Sequence, residues 1–166
     1  AAIEKIPLGG AGTVKISGTI KAENIGGYPP HPDGSAVVNN STIKVSGERG
    51  SSDYPGRTVT VIGDNKTSSI LDASNLCSAF SIEFNGKLIL KNVTLQNAKN
   101  DDEGCGGGIY ISDNGSSVEM TDTDIKNCTV IAIPILGGAI YIREGGSLTV
   151  GSGCVISNNT APGGNG

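Results

Sequence analysis

The chain has no tryptophan, one histidine, one methionine and only six Phe and Tyr residues among 166. A core built on large aromatic rings is excluded, and the interior must be filled by Leu, Ile and Val. His31 stands alone, which excludes a multi-histidine metal site and leaves a Ser-His-Asp arrangement only one possible base. No apolar run approaches the roughly 20 residues a membrane-spanning helix needs, so no membrane insertion is expected of this segment. The start, Ala1-Ala2-Ile3-Glu4, carries no charged-then-apolar leader, and any signal peptide is expected to have been removed. The twelve Lys and Arg are scattered among sixteen Asp and Glu, giving a net charge of -4 and no basic footprint for nucleic acid.

What is present is glycine, 26 residues of it, with abundant Ser, Thr and Asn and few runs of helix formers. That composition belongs to many short strands joined by tight turns, an all-β chain. Its length fits one domain.

The stretch Gly106 to Asn127 (GGGIYISDNGSSVEMTDTDIKN) is repeated as Gly137 to Asn158 (GGAIYIREGGSLTVGSGCVISN), and a fainter copy runs from Phe80 to Asn97. A repeat of this period is one supersecondary unit that cannot bury its apolar face alone and therefore stacks on its neighbour. Aligned copies give the columns Leu88, Val118, Leu148; Leu90, Met120, Val150; and Leu95, Ile125, Ile156, with members 30 or 31 residues apart. Apolar residues alternate with Glu119 and Thr149 inside the second strand of each copy, and Ile109-Tyr110-Ile111 and Ile140-Tyr141-Ile142 alternate likewise. Period two means strand, with isoleucines inward and both tyrosines outward.

Each copy is therefore predicted to hold three short strands, Ile109 to Ile111, Val118 to Met120 and Thr123 to Ile125 in the middle one, parted by Asp113-Asn114-Gly115 and Thr121-Asp122. Equivalent strands then run the same way, which predicts parallel sheets wound as a β-helix rather than a hairpin sandwich. The column Asn97, Asn127, Asn158 is expected to form an asparagine ladder that bonds turn backbone and the next amide along. Upstream, Val14 and Ile16, Ile43 and Val45, and Val59 and Val61 alternate between Gly- and Pro-bearing loops. Residues 1–57 are read as irregular N-terminal rungs and loops, and 58–166 as regular coils of one domain. The proline-rich run Ile25 to Gly34 is read as an excursion from the stack. The closing Pro162-Gly163-Gly164-Asn165-Gly166 is similar to the glycine runs that precede earlier copies, and predicts a fragment of a longer array.

GGGIYI, GGAIYI and the closing ISNN resemble the right-handed parallel β-helix repeats of bacterial surface proteins. They are similar in particular to the polymorphic outer-membrane protein repeats marked by GGA plus an apolar residue and by F-x-x-N. Gly137 to Ile140 supplies GGAI, and Ile156 to Asn159 has the x-x-N spacing with Ile in place of Phe. The likeness covers roughly residues 58 to 166. It implies a right-handed β-helix, or solenoid, that is secreted or displayed at the cell surface (outer membrane) with a structural or adhesive role. Expected partners are a host-surface or matrix protein, a glycan, and the rest of its own longer chain, with no nucleic acid and no cofactor. The alternative the fold allows is a polysaccharide-binding or polysaccharide-cleaving, pectate-lyase-like domain. A leucine-rich repeat, suggested by Val93-Thr94-Leu95-Gln96-Asn97, lacks the helical segment and leucine content it needs.

Residues able to carry chemistry are few. Asp122 and Asp124 could be a glycosidase pair, but no second acid or base stacks beside either, so they read as a turn aspartate and an outward strand aspartate. Asp101, Asp102 and Glu103 offer only three donors, where calcium takes six to eight; no metal site is predicted. Arg143, the nearest repeat-borne base for a lyase, has Ser112 as its phase partner. Tyr28, His31, Tyr54 and Arg57 lie in the two longest loops, where aromatic faces could stack against sugar or peptide, or the loops could pack on their own rungs. The apolar segment Val130 to Leu136, with Ile131, Ile133, Ile135 and Leu136, interrupts the repeat; it either folds back over the stack or presents a contact surface.

Cys77 and Cys105 stand five and six residues before the equivalent Ile82 and Ile111. Rungs about 4.8 Å apart bring the two within disulfide range, and in an oxidising compartment a bond would form. Cys154 shares an inward column with Val93 and Thr123 and is read as a buried free thiol.

Overall fold

The computed structural model describes residues 5–22, 43–47, 55–100, 106–131, 136–143 and 145–162. These contain sixteen strands and no α-helix. In chain order they are β1 (Ala11–Ile16), β2 (Thr19–Lys21), β3 (Ile43–Ser46), β4 (Thr58–Gly63), β5 (Ile70–Asp72), β6 (Phe80–Glu83), β7 (Lys87–Lys91), β8 (Thr94–Gln96), β9 (Lys99–Asn100), β10 (Ile109–Ile111), β11 (Ser117–Thr121), β12 (Asp124–Lys126), β13 (Thr129–Val130), β14 (Ile140–Ile142), β15 (Ser147–Val150) and β16 (Val155–Ser157).

Every strand pairs in parallel with its equivalent in the neighbouring repeat. The first sheet has the order β1-β4-β7-β11-β15, the second β16-β12-β8-β5-β2 and the third β14-β10-β6-β3, and a fourth ladder joins β13 to β9. The registers follow the sequence columns: Val118 faces Leu88 and Leu148, Met120 faces Leu90 and Val150, and Ile125 faces Leu95 and Ile156. Side chains of one face recur every second residue along a strand, so each column is a line of apolar groups running from repeat to repeat. Val59, Leu88, Leu90, Leu95, Val118 and Ile125 are wholly buried, joined from the third sheet by Val45, Phe80, Ile82, Ile109 and Ile111. Full burial of each such side chain is worth about 1.5–3 kcal/mol.

The early repeats are more regular than their loops suggest. β1 holds register with β4 over six residues, β2 with β5 over three and β3 with β6 over four. Irregularity lies in loop length, since Ala11 pairs with the distant Thr58 whereas Thr58 pairs with Lys87 and Lys87 with Ser117. The proline-rich excursion falls outside the described residues.

The corners are made by residues in left-handed backbone. Asn97, Asn127 and Asn158 have φ of 54°, 56° and 55°, and at the preceding corner Asn92, Asp122 and Gly153 have 55°, 46° and 72°. Asparagine and aspartate tolerate this region better than other side-chain-bearing residues. The asparagine column is thus explained by backbone conformation, and its amides do not all bond along the stack as expected. Asn97 Nδ2 donates to both Asp72 carboxylate oxygens at 3.1 Å. Asp72 lies in the preceding repeat, in register with Gln96, so this bond runs along the stack; another comes from Asn159, whose Oδ1 accepts from the Cys128 N–H at 2.8 Å while its Nδ2 donates to the Ile125 carbonyl at 3.0 Å. At Gly153 the φ of 72° and an Asp122 carboxylate oxygen 1.9 Å from where a Cβ would lie both favour glycine above that aspartate.

Candidate functional site

Parallel stacking turns each outward sequence position into a row of side chains along a sheet. On the third sheet one row is Lys44, Ser81, Tyr110 and Tyr141. The tyrosine rings stack with centroids 5.8 Å apart and planes 14° from parallel. Offset ring pairs of this kind contribute about 0.5–1.5 kcal/mol beyond burial. Ser81 beside them is small and sheltered, and its hydroxyl bonds Glu83.

Two positions further along each strand the next outward row contains Glu83, Ser112 and Arg143. The ladder continues there, with the Ser112 N–H donating to the Ile82 carbonyl and the Arg143 N–H to the Ile111 carbonyl, at 2.9 and 2.8 Å. Ser112 Oγ donates to Asp113 Oδ2 at 3.0 Å. The Arg143 guanidinium is exposed; the nearby Tyr110 side chain, and to a lesser degree Asp113, push its already high pKa further up. Two stacked phenols thus stand in one row, and a guanidinium, two carboxylates and a sheltered hydroxyl stand in or beside the next. Such a surface can stack against an apolar ring face while bonding hydroxyls at that ring's rim. The outward phase of both tyrosines is plain in the sequence, but their stacking and the approach of Arg143 depend on the register.

The loop cluster cannot be assembled, because Tyr28, His31 and Tyr54 lie outside the described residues. Its fourth member, Arg57, is engaged with backbone: Nε donates to the Ile6 carbonyl at 2.6 Å and Nη1 to the Ser46 carbonyl at 2.9 Å. It clasps the N-terminal segment to the end of β3.

The apolar interruption divides between inside and outside. Val130 is buried on β13, opposite Asn100, whereas Ile131 is 45% exposed and Leu136 half-buried. Ile133 and Ile135 lie outside the described residues. Cys77 is buried, and its expected partner Cys105 is outside the described residues. Cys154 occupies the predicted column but is only half-buried, because it belongs to the last described repeat. Its thiol points at the Ser152 carbonyl, 3.8 Å away, as Thr123 Oγ1 donates to the Thr121 carbonyl one repeat earlier at 2.9 Å. Burial pushes the Cys128 thiol up to about 11.

Of the two candidate acids, Asp122 forms a turn and Asp124 is paired from an unexpected direction. Lys66, in the loop between β4 and β5, reaches along the second sheet to donate to Asp124 Oδ1 at 2.7 Å and to the Gly153 carbonyl at 2.6 Å. Its own carbonyl accepts from Thr94 Oγ1 at 2.7 Å. One lysine therefore touches three successive repeats. No cluster of three or more metal-ligating side chains occurs among the described residues, and Asp101, Asp102 and Glu103 lie outside them. Among the described residues, no helix is long and apolar enough to cross a membrane. A scan against protein-family models and searches of curated proteins and of solved structures returned no match for this chain.

Proposed function

We propose that the chain is a right-handed parallel β-helix, a single domain of a longer repeat protein, and that it serves as a secreted or surface-displayed rod with a structural, ligand-presenting role. The observation that carries this reading is the register. The inward columns of the first sheet continue through β4, β7, β11 and β15, and the second and third sheets repeat the same parallel step. A chain whose every strand is committed to its neighbouring repeats is built for extension, and its outward rows are free to vary. The likeness of GGAI and ISNN to bacterial surface repeats supports the location, with a host-surface or matrix protein or a glycan as the partner.

The stacked Tyr110 and Tyr141 beside Arg143 favour glycan over protein as what the rod presents to, and so support the polysaccharide-binding form of the alternative. A glycan-array screen of the chain and its Tyr141→Ala variant tests both. Binding lost in the variant supports the ligand-presenting rod. Binding unchanged in the variant removes this surface, and release of unsaturated products from polygalacturonate would replace the rod with an enzyme.

A further inference from the structure

The last described repeat has its inward columns open. Val118, Met120, Ile125 and Ile111 are 0–1% exposed, yet the residues one step along the same columns are not covered: Val150 is 50% exposed, Ile156 46% and Ile142 40%. The strands that carry them, β14, β15 and β16, are each the last of their sheets. Among the described residues no strand pairs with their far edges, which thus present ladder backbone beside apolar side chains, the combination that templates further strand pairing. The opposite end of the first sheet is covered by the chain itself. Ile6 is buried against Gly12, where an added Cβ would come within 2.4 Å of its Cδ1, and Arg57 holds the Ile6 carbonyl.

We infer that the C-terminal end of the stack is a docking face, and that its occupant is a further repeat of the same pattern on the same polypeptide. This repeat lies in parallel register with apolar side chains over Ile142, Leu148, Val150 and Ile156. The inference rests on the β-helix reading and adds the partner at one end. Continuity carries it, because at each inner repeat this same surface, in the same columns, is covered by the next parallel repeat. A second copy brought to that face by its N-terminal end would meet Ile6 on the first sheet, while Ile20, 48% exposed on β2, leaves the second sheet open there, so the association of the shorter chain is one outcome of the test. Two C-terminal ends brought together would face each other with strands antiparallel, against the parallel pairing of every sheet here.

The test compares the 166-residue chain with a variant carrying a second copy of residues 106–131 after Gly166. There the added glycine run follows Asn158 at the spacing by which Gly106 follows Asn97. Added coverage should raise Tm by on the order of 5 °C and slow hydrogen exchange at the backbone amides of Leu148, Val150 and Ile156 by on the order of tenfold or more. The double change Val150→Lys and Ile156→Lys should cancel these gains in the longer variant. Unchanged Tm and amide exchange on extension would overturn the inference. So would a stable dimer of the shorter chain that protects the same amides, which would make a second copy the occupant. X-ray scattering on the same samples separates the underlying reading. The added repeat should lengthen the particle by about 4.8 Å; a particle that gains stability without lengthening removes the β-helix and the docking face with it.

Discussion

Ile125 and Ile156 are the same residue type in the same column, paired in register on β12 and β16, and differ chiefly in what lies above them. Ile125 is wholly buried between Leu95 and Ile156, while Ile156 is 46% exposed. Truncating Ile125 to alanine removes three buried carbons and leaves an enclosed space that the stacked strands on either side cannot close, a cost of about 2–5 kcal/mol. Ile156→Ala loses only part of the transfer term and leaves no enclosed cavity, so roughly 1 kcal/mol or less is expected. For a chain of this size 1 kcal/mol corresponds to about 2–4 °C in Tm. Ile125→Ala should therefore melt about 4–20 °C below the parent and Ile156→Ala no more than about 2–4 °C below. Urea unfolding and calorimetry at low protein concentration, where end-to-end association is negligible, would measure both. Losses equal to within about 0.5 kcal/mol would refute the column argument, since burial would then be the same at the two repeats.

At Asn127, held at φ 56°, replacement by alanine should cost about 1–2 kcal/mol and replacement by glycine much less, read from urea midpoints. Burial pushes the Asp72 carboxyl up, but hydrogen bonds from Gln96, the Ser74 N–H and Asn97, with the charge of Lys21, outweigh it and hold its pKa below 3.8. Its contribution is present above the unfolded-state pKa near 3.8 and is lost as pH falls through the lower folded value. The stability gap between the parent and Asp72→Asn should accordingly close between about pH 5 and pH 2, and at neutral pH should be under about 1 kcal/mol because solvent screens the site. Titrated by a thiol reagent at pH 8, Cys154 should react before Cys128, whose buried thiol is about one-thousandth ionised at that pH; mass spectrometry after brief labelling identifies which cysteine carries the reagent.

The columns were legible because burial forces the same kind of side chain at the same phase in every repeat. Leu88, Val118 and Leu148 align by eye and pair in space, and the predicted strand Ile109 to Ile111 matches β10. Where the chain must turn, the asparagines are visible in the sequence but their φ near 55° is not, since it leaves no periodic trace apart from residue type. The third strand begins at Asp124 rather than at the expected Thr123, because Thr123 is buried like a strand residue while acting as a corner. The sequence pattern does not disclose β2 and β5. Three residues give too short an alternation to detect, and they are strands only because β8 and β12 extend the same sheet. Lys66 was beyond reach for a further reason. Its contact with Asp124 joins a loop of one repeat to a strand two repeats along, and neither residue is part of a column.

Inward and outward positions obey different rules, and that difference locates recognition. An inward residue is constrained from both sides by its column, so its repetition from one repeat to the next says nothing beyond packing. Outward residues change at nearly every step: Lys87, Ser117, Ser147 in one row, and Thr94, Asp124, Val155 in another. Tyr110 and Tyr141 break that pattern by repeating an aromatic residue where the core gains little from it. Their mutual stacking accounts for at most about 1.5 kcal/mol, and it does not require the guanidinium of Arg143 to sit beside the phenol. A purely structural pair would tolerate Tyr→Phe at both positions with stacking intact. A pair kept for ligand contact would hold its fold through that change and still lose the hydroxyl that meets Arg143, so binding and stability should separate at these two residues and move together in the columns.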